Sequence, residues 1–349
     1  MKKDSTHTIS NRKADHLDIC ISQNVDFKHL GTGFDSIQLM HCALPEMNLD
    51  DVDTATTFLG KHLSMPLLIT GMTGGFAKAE RVNRLLAKTC NDHSIALGLG
   101  SQRQAIENER YIKSFRAVRE EAPDIPLIGN IGAAQITGPR GIEYVQQILN
   151  IVHIDALAIH LNPLQEALQP EGDTDFSGVL NALQELEEEL TIPIIMKETG
   201  AGISAEVAAK LLQIGIRYID VSGAGGTSWA AVEHFRGAIP HLAEKFREWG
   251  IPTTLCLKEL KDIPNLNIIA SGGIRDGIDV AKALVLGADL AGAAAPFLHA
   301  LFAPEGNMLD TMVEQWRQQL RMAMFLTGCK HVDELASVRY FSTEGFEKE

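Results

Sequence analysis

The stretch IIASGGIRDGIDVAKALVLGADLAGAAAPFL, Ile268 to Leu298, reads as strand, glycine turn, helix, strand and small-residue turn. Ile268 to Ala270 is a short apolar run that ends at Ser271, the pattern of a buried strand. Gly272 and Gly273 release the backbone for a tight turn and for close approach of another group. Asp276 is placed to cap a helix whose Ala281, Leu284 and Val285 share one face, and Gly287 stands where that helix should stop. A second strand, about Asp289 to Gly292, leads into Ala293-Ala294-Ala295 ahead of Pro296. Two successive βα turns built from small residues offer free amides to a phosphate. In a (β/α) barrel such a site follows strands seven and eight.

Working outward, the same rhythm recurs upstream. MPLLIT (Met65 to Thr70), IPLIGN (Ile125 to Asn130) and IPIIMK (Ile192 to Lys197) share proline, an apolar run and a polar end. Proline is tolerated at the first residue of a strand, where no ladder donor is needed. SIALGLG (Ser94 to Gly100), DALAIH (Asp155 to His160) and YIDVSG (Tyr218 to Gly223) complete a set of eight with the opening pair. The segments between them carry helical periodicity. Val179, Leu183, Leu186 and Leu190 fall on one face opposite Glu185, Glu187, Glu188 and Glu189, and Ser204 caps a helix that Gly215 ends. The class expected is α/β, a parallel eight-stranded (β/α) TIM barrel with an N-terminal extension. An open doubly wound sheet is the second choice. The expected divisions are an arm and extension over residues 1–60, a barrel over 61–330 and a tail over 331–349. An extra helix is expected within Gly237 to Lys261 and a closing amphipathic helix over Met308 to Phe325, with a loosely held tail after Val338.

Composition narrows the function classes. The 349 residues carry a formal charge of −14, which argues against nucleic acid and anionic membrane as partners. The five cysteines are odd in number and never in CxxC spacing, which suits a reducing compartment and offers no zinc site. The first residues lack an apolar core, so no signal peptide is expected, and no apolar run is long enough to span a bilayer. A cytoplasmic enzyme is the expectation.

In such barrels the chemistry sits where strands end. Strand one is followed by Gly71-Met72-Thr73-Gly74-Gly75, strand two by Gly100-Ser101-Gln102-Arg103. Strand three delivers Asn130, strand four His160, Asn162, Gln165 and Glu166, strand five Lys197, and strand six Ser222 and then Thr227. Lys197, at the end of an apolar strand, is costly to bury unless paired. It suits a Schiff base with a carbonyl, negative charge on a reduced flavin ring, or a structural ion pair with Glu198 or Glu166. Glu166 alone makes a poor zinc site but a normal share of a magnesium site, since Mg²⁺ takes its other ligands from water and substrate phosphates. Arg12, Lys13 and His16 form one basic spot, Arg103 another.

Taken together these residues resemble the type 2, flavin-dependent isopentenyl-diphosphate isomerases. The resemblance runs through NRKADHL (Asn11 to Leu17), ITGMTGG (Ile69 to Gly75), GSQR (Gly100 to Arg103), GNIGAAQ (Gly129 to Gln135), HLNPLQE (His160 to Glu166), KETGAGIS (Lys197 to Ser204), GGTSW (Gly225 to Trp229) and SGGIRDG (Ser271 to Gly277). GMTGG and SGGIR are common to FMN barrels; HLNPLQE and RKADHL carry the isomerase resemblance. It implies interconversion of isopentenyl and dimethylallyl diphosphate by adding and removing a proton, with reduced FMN, Mg²⁺, and NADPH as reductant. By position, FMN would be held by Met72, Thr73, Gly74, Ser101, Asn130, Lys197, Ser222, Thr227, Gly273, Ile274, Arg275, Ala294 and Ala295. The substrate, a small-molecule diphosphate, would meet Arg12, Lys13, Ser101, Gln102, Arg103, His160, Asn162 and Gln165, with Glu166 on the metal. Lys197, His160, Gln165, Trp229 and Glu233 would serve catalysis, and a homo-oligomer, tetramer or octamer, is expected.

Related chemistries fit less well. An FMN-dependent 2-hydroxy-acid oxidase needs a histidine base and an arginine after strand six, where this chain has SGAGGTSW. An IMP-type dehydrogenase needs a cysteine there. A Schiff-base aldolase has no use for the Glu166 cluster, and a flavin-storing barrel none for RKADHL.

Overall fold

A computed structural model of the chain describes residues 5–72, 79–138, 140–237 and 239–343, with side chains from Lys13 onward. Eight parallel strands close on themselves: β1 (Leu67–Ile69), β2 (Ala96–Gly98), β3 (Leu127–Gly132), β4 (Ala156–His160), β5 (Ile194–Lys197), β6 (Tyr218–Asp220), β7 (Asn267–Ser271) and β8 (Leu290–Ala293). Each pairs with the next in sequence, and β8 returns to β1 through Gly292 opposite Leu68. The barrel expected from the strand rhythm is therefore present, each strand overlapping the run that announced it, with β3 running on two residues to Gly132. Helices such as Ala79–Asp92, Val179–Glu189, Ala205–Gln213 and Gly277–Val285 link successive strands.

The two-residue period of a strand decides which side chains fill the barrel. Leu68, Ala96, Ile128, Ala156, Ala158, Ile195, Ile269 and Leu290 point inward and pack as one cluster. Their neighbours, including Leu67, Leu97, Leu127, Leu157, Met196 and Ile268, point outward and join the larger core under the helices. Each fully buried aliphatic side chain contributes about 1.5–3 kcal/mol. Continuing the inward period to the strand ends brings Asn130, His160, Lys197, Asp220 and Ser271 to one end of the barrel, because the apolar core stops two residues earlier.

Local signals behave as the sequence suggests. The Asp276 carboxylate accepts from the amides of Ile278 and Asp279 at 2.8 Å each and starts the helix Gly277–Val285. Gly287, with φ of +101°, follows its end. Ser204 caps Ala205–Gln213.

Three features depart from the expectations. The region 237–261 holds two helices rather than one, Pro240–Lys245 and Thr253–Leu260. The tail is not loose throughout: Tyr340–Ser342 pairs antiparallel with Ile37–Leu39, so backbone groups at the two ends of the chain satisfy each other. A hairpin, Thr56–Phe58 with Lys61–Leu63, drives Phe58 and Leu63 against the inward cluster and plugs the end away from the mouth. The polar N-terminal arm is a helix, Ser5–Ser22, packed on Trp229–Arg236, Arg103–Glu107 and Ala295–Leu301 at the opposite end. The closing helix is Leu309–Thr327.

Candidate active site at the barrel mouth

The floor of the mouth is a small recess of about 20 Å³ lined by Thr70, Gly98, Asn130, Lys197 and Asp220. Asn130 is held from two sides. Its Nδ2 donates to the Leu99 carbonyl at 3.0 Å, which leaves Oδ1 to accept from His160 Nδ1 at 2.8 Å. His160 thus carries its hydrogen on Nδ1 and is aimed by its neighbour strand. Lys197 stands opposite His160 in the β4–β5 register and opposite Asp220 in the β5–β6 register. Its Nζ donates to the Glu198 carbonyl at 2.6 Å. The ion pair considered for Glu198 is therefore replaced by a backbone contact. The Glu198 side chain turns the other way and accepts from the amides of Thr199 and Gly200 at 2.6 Å, and from Ala201. Burial pushes the Glu198 carboxyl up, and those amides oppose the shift.

The rim follows from the loops after β2 and β4. Pro163 opens a short helix, Pro163–Leu168, that puts Gln165 and Glu166 on the turn after His160. Asn162 Nδ2 donates to Gln165 Oε1 at 3.0 Å and to Glu166 Oε1 at 2.9 Å, while the Asp173 amide donates to Glu166 Oε2 at 2.7 Å. The carboxylate is fixed by single bonds at each oxygen, with lone pairs left over. Arg103 pairs with Glu107 at 2.8 Å and lines a cavity of about 400 Å³ with Gln135, Arg140 and Asp173. Lys13 crosses from the N-terminal helix to the Ser101 carbonyl at 2.7 Å. His16 reaches Glu233 Oε1 at 2.9 Å and meets Trp229 edge-on at 5.1 Å between ring centroids.

Glu233 and Trp229 do share a helix, Trp229–Arg236, but Glu233 is no surface carboxylate: it is 1% exposed. Arg236 Nη1 holds its second oxygen at 2.7 Å. Gln102 sits beneath the rim, against the backbone of Asn130. It is fully buried, and its Oε1 accepts from the Asn130 amide at 3.1 Å, so it braces β2 against β3 rather than facing the opening. Arg275 points to Asp26, at 3.1 Å, and to the Gly225 carbonyl. Ile274 is buried core. Ser222 takes a positive φ of +39° and donates its amide to Asp220 Oδ1. Met72 is half-buried at the end of β1, and Thr227 bridges to Asp26. Thr73 and Gly74 lie outside the described residues, as does the side chain of Arg12. Sequence reasoning missed Asp220 and Arg236; the Tyr218–Asp220 alternation, in register with Lys197, was the available signal for the first.

The donor set suits a flavin nucleotide. A cation, an amide and a hydroxyl ring the floor, where a ring with a hydrogen-bonding edge would be met. Ala294 and Ala295 begin the helix Ala295–Leu301 with no side-chain cap, so its first amides stay available to a phosphate. Gly272 and Gly273 both have positive φ, +98° and +79°, and a Cβ on Gly272 would lie 2.1 Å from the Gly223 carbonyl oxygen. For a metal, no group of three or more His, Cys, Asp or Glu side chains gathers among the described residues. A lone anchored carboxylate fits Mg²⁺, whose remaining ligands come from substrate and water.

A closed parallel barrel with this mouth defines an FMN-type (β/α)8 enzyme, and the family model described as FMN-dependent dehydrogenase matches residues 161–340. A solved flavocytochrome b2 mutant with benzoylformate has the same fold, with TM-score 0.64 at 19% identity over 94% of this chain and 79% of that one. Isopentenyl-diphosphate delta-isomerases are far more similar. That of Pseudescherichia vulneris is 45% identical over 94% of this chain and 96% of its own length. That of Pyrococcus abyssi (strain GE5 / Orsay) is 44% identical over 97% and 93%. The chain belongs to the type 2, FMN-dependent isopentenyl-diphosphate delta-isomerases.

Proposed function

We propose that the chain converts isopentenyl diphosphate to dimethylallyl diphosphate in the barrel mouth, with reduced FMN against Lys197 and Mg²⁺ at Glu166. The isomerisation and the FMN follow from the family. One observation carries the placement: Lys197, Asn130 and His160 converge inward beneath a rim that supplies Lys13, Arg103 and Glu166. The double bond moves by protonation of the terminal methylene and loss of a proton from C2, with no net oxidation. Reduced FMN, when bound, would supply acid–base chemistry and negative charge at its ring, with NADPH as its reductant.

The chain's own residues bind, orient and exclude water. Lys197 sets a fixed cation where a reduced ring is anionic. Asn130 aims His160 through the Nδ1 contact, and Asn162 holds Gln165 and Glu166 together at the diphosphate. Lys13 brings positive charge over the mouth where the N-terminal helix meets Ser101. The His16–Glu233–Arg236 chain and Trp229 form the wall beside it. The site residues after β7 and β8, Gly273, Ala294 and Ala295, would hold the flavin phosphate. Arg275 would join them by leaving Asp26. The same reading makes the enzyme a cytoplasmic homo-oligomer, a tetramer or octamer.

The test is a Mg²⁺ titration of Glu166→Gln holding FMN. Half-saturation is expected to rise by about tenfold or more, the range seen when ligand shells are altered. An unchanged requirement removes Glu166 from the metal.

A further inference from the structure

Asp220 is the buried charged group at the floor that the reaction leaves without a task. It ends β6, points inward beside Lys197, and is 2% exposed. Paired strands lie about 4.8 Å apart, so two side chains in register on one face are immediate neighbours. Both hydrogen bonds given to Asp220 land on Oδ1, one from the Ser222 amide at 3.2 Å and one from the Ser271 hydroxyl. Oδ2 carries none among the described residues. Ser222 accepts a left-handed backbone, φ +39°, in making its bond. Three strand ends are thus arranged around one carboxylate. Burial pushes its carboxyl up, while Lys197, the Ser271 hydroxyl and the Ser222 amide oppose the shift.

A purely structural strut does not need a charged group here, since an amide or hydroxyl would take the same two donors. The carboxylate matters because of where it is. Lys197 alone would place an uncompensated cation against the cofactor and stabilise the reduced anion strongly. A neighbouring anion on the same face moderates that field. We propose that Asp220 is a positioning residue that sets the electrostatic potential of the barrel floor, tempering the Lys197 cation and so fixing how readily the bound flavin is reduced.

The inference rests on Lys197 lying against the flavin, and the experiment separates the two. The midpoint potential of bound FMN is measured by anaerobic titration in the wild type, Asp220→Asn and Lys197→Met. Asp220→Asn removes negative charge, so the reduced form is favoured by about tenfold, roughly 30 mV to the positive side for a two-electron couple. Lys197→Met moves the potential the other way. A shift with Lys197→Met and none with Asp220→Asn overturns the role of Asp220 alone. A shift with Asp220→Asn and none with Lys197→Met overturns the placement of Lys197 and, with it, the tempering of that cation by Asp220. If Asp220→Asn fails to retain FMN, Asp220→Ser takes its place: it removes the same charge, and the potential again moves positive. An unchanged or more negative potential in Asp220→Ser contradicts the proposal.

Discussion

Lys13 shows how much a single side chain can carry at this mouth. Its Nζ donates to the Ser101 carbonyl at 2.7 Å, so it both pins the N-terminal helix and lends charge to the opening. A hydrogen bond from a charged group contributes about 1.5–3 kcal/mol. Lys13→Ala is therefore expected to raise KM for isopentenyl diphosphate by roughly tenfold or more while FMN content stays at the wild-type level. Steady-state kinetics beside a flavin absorbance measurement decide it, and an unchanged KM would place Lys13 in packing only. At this scale the sequence was informative where an ionisable group ended an apolar run, as Lys197 and His160 do. It was silent where the decisive fact is a partner far along the chain. Asp220 reads as an ordinary acid until its register with Lys197 is known, and Glu233 reads as a solvated helix carboxylate until His16 and Arg236 close on it.

Among the elements, the loop after β6 depends on glycine where it meets the segment at Gly31 and Thr32. Gly225 has a φ of +109°, and a Cβ there would lie 2.2 Å from the backbone nitrogen of Thr32. The left-handed backbone costs about 1–2 kcal/mol and the overlap with fixed backbone adds to it. Gly225→Ala is expected to lower stability by about 2 kcal/mol or more in urea unfolding, and an unaltered midpoint would contradict the close approach. The barrel strands were legible because each is a continuous apolar run with a marked start and finish. The strands Ile37–Leu39 and Tyr340–Ser342 were not, because three residues carry little periodicity and each strand's partner lies at the other end of the chain. The N-terminal helix was hidden for a different reason. Its residues are polar on most sides, and its docking combines a small apolar cluster of Ile19, Cys20 and Trp229 with contacts such as Lys13 to Ser101 and His299 to the Cys20 carbonyl.

For the molecule as a whole, the end opposite the mouth is tied by Asp155. Its carboxylate pairs with Lys61 of the plug at 2.8 Å and with Arg119 at 2.8 Å, and accepts from the Leu127 amide at 2.8 Å. Burial alone would raise its carboxyl, but Lys61, the Leu127 amide and Arg119 outweigh it, and the result is lowered. A carboxylate depressed on folding contributes stability that is complete above its unfolded value, about 3.9, and is lost as pH falls through the lower folded one. Asp155→Asn should cost about 1–3 kcal/mol near neutrality, and the gap from wild type should narrow as pH falls below about 4. Thermal melts across that range measure it; a gap independent of pH would mean the charge is not what binds the plug.

The account's central claim is that the mouth moves a proton on and off a diphosphate-bearing alkene without net oxidation. The most direct measurement is anaerobic: protein, FMN, dithionite or NADPH, Mg²⁺ and isopentenyl diphosphate in D₂O, with the product analysed for deuterium. Deuterated dimethylallyl diphosphate formed only when the flavin is reduced is the predicted result. No product, together with bound FMN that a 2-hydroxy acid reduces, would contradict the account and make the barrel an oxidase.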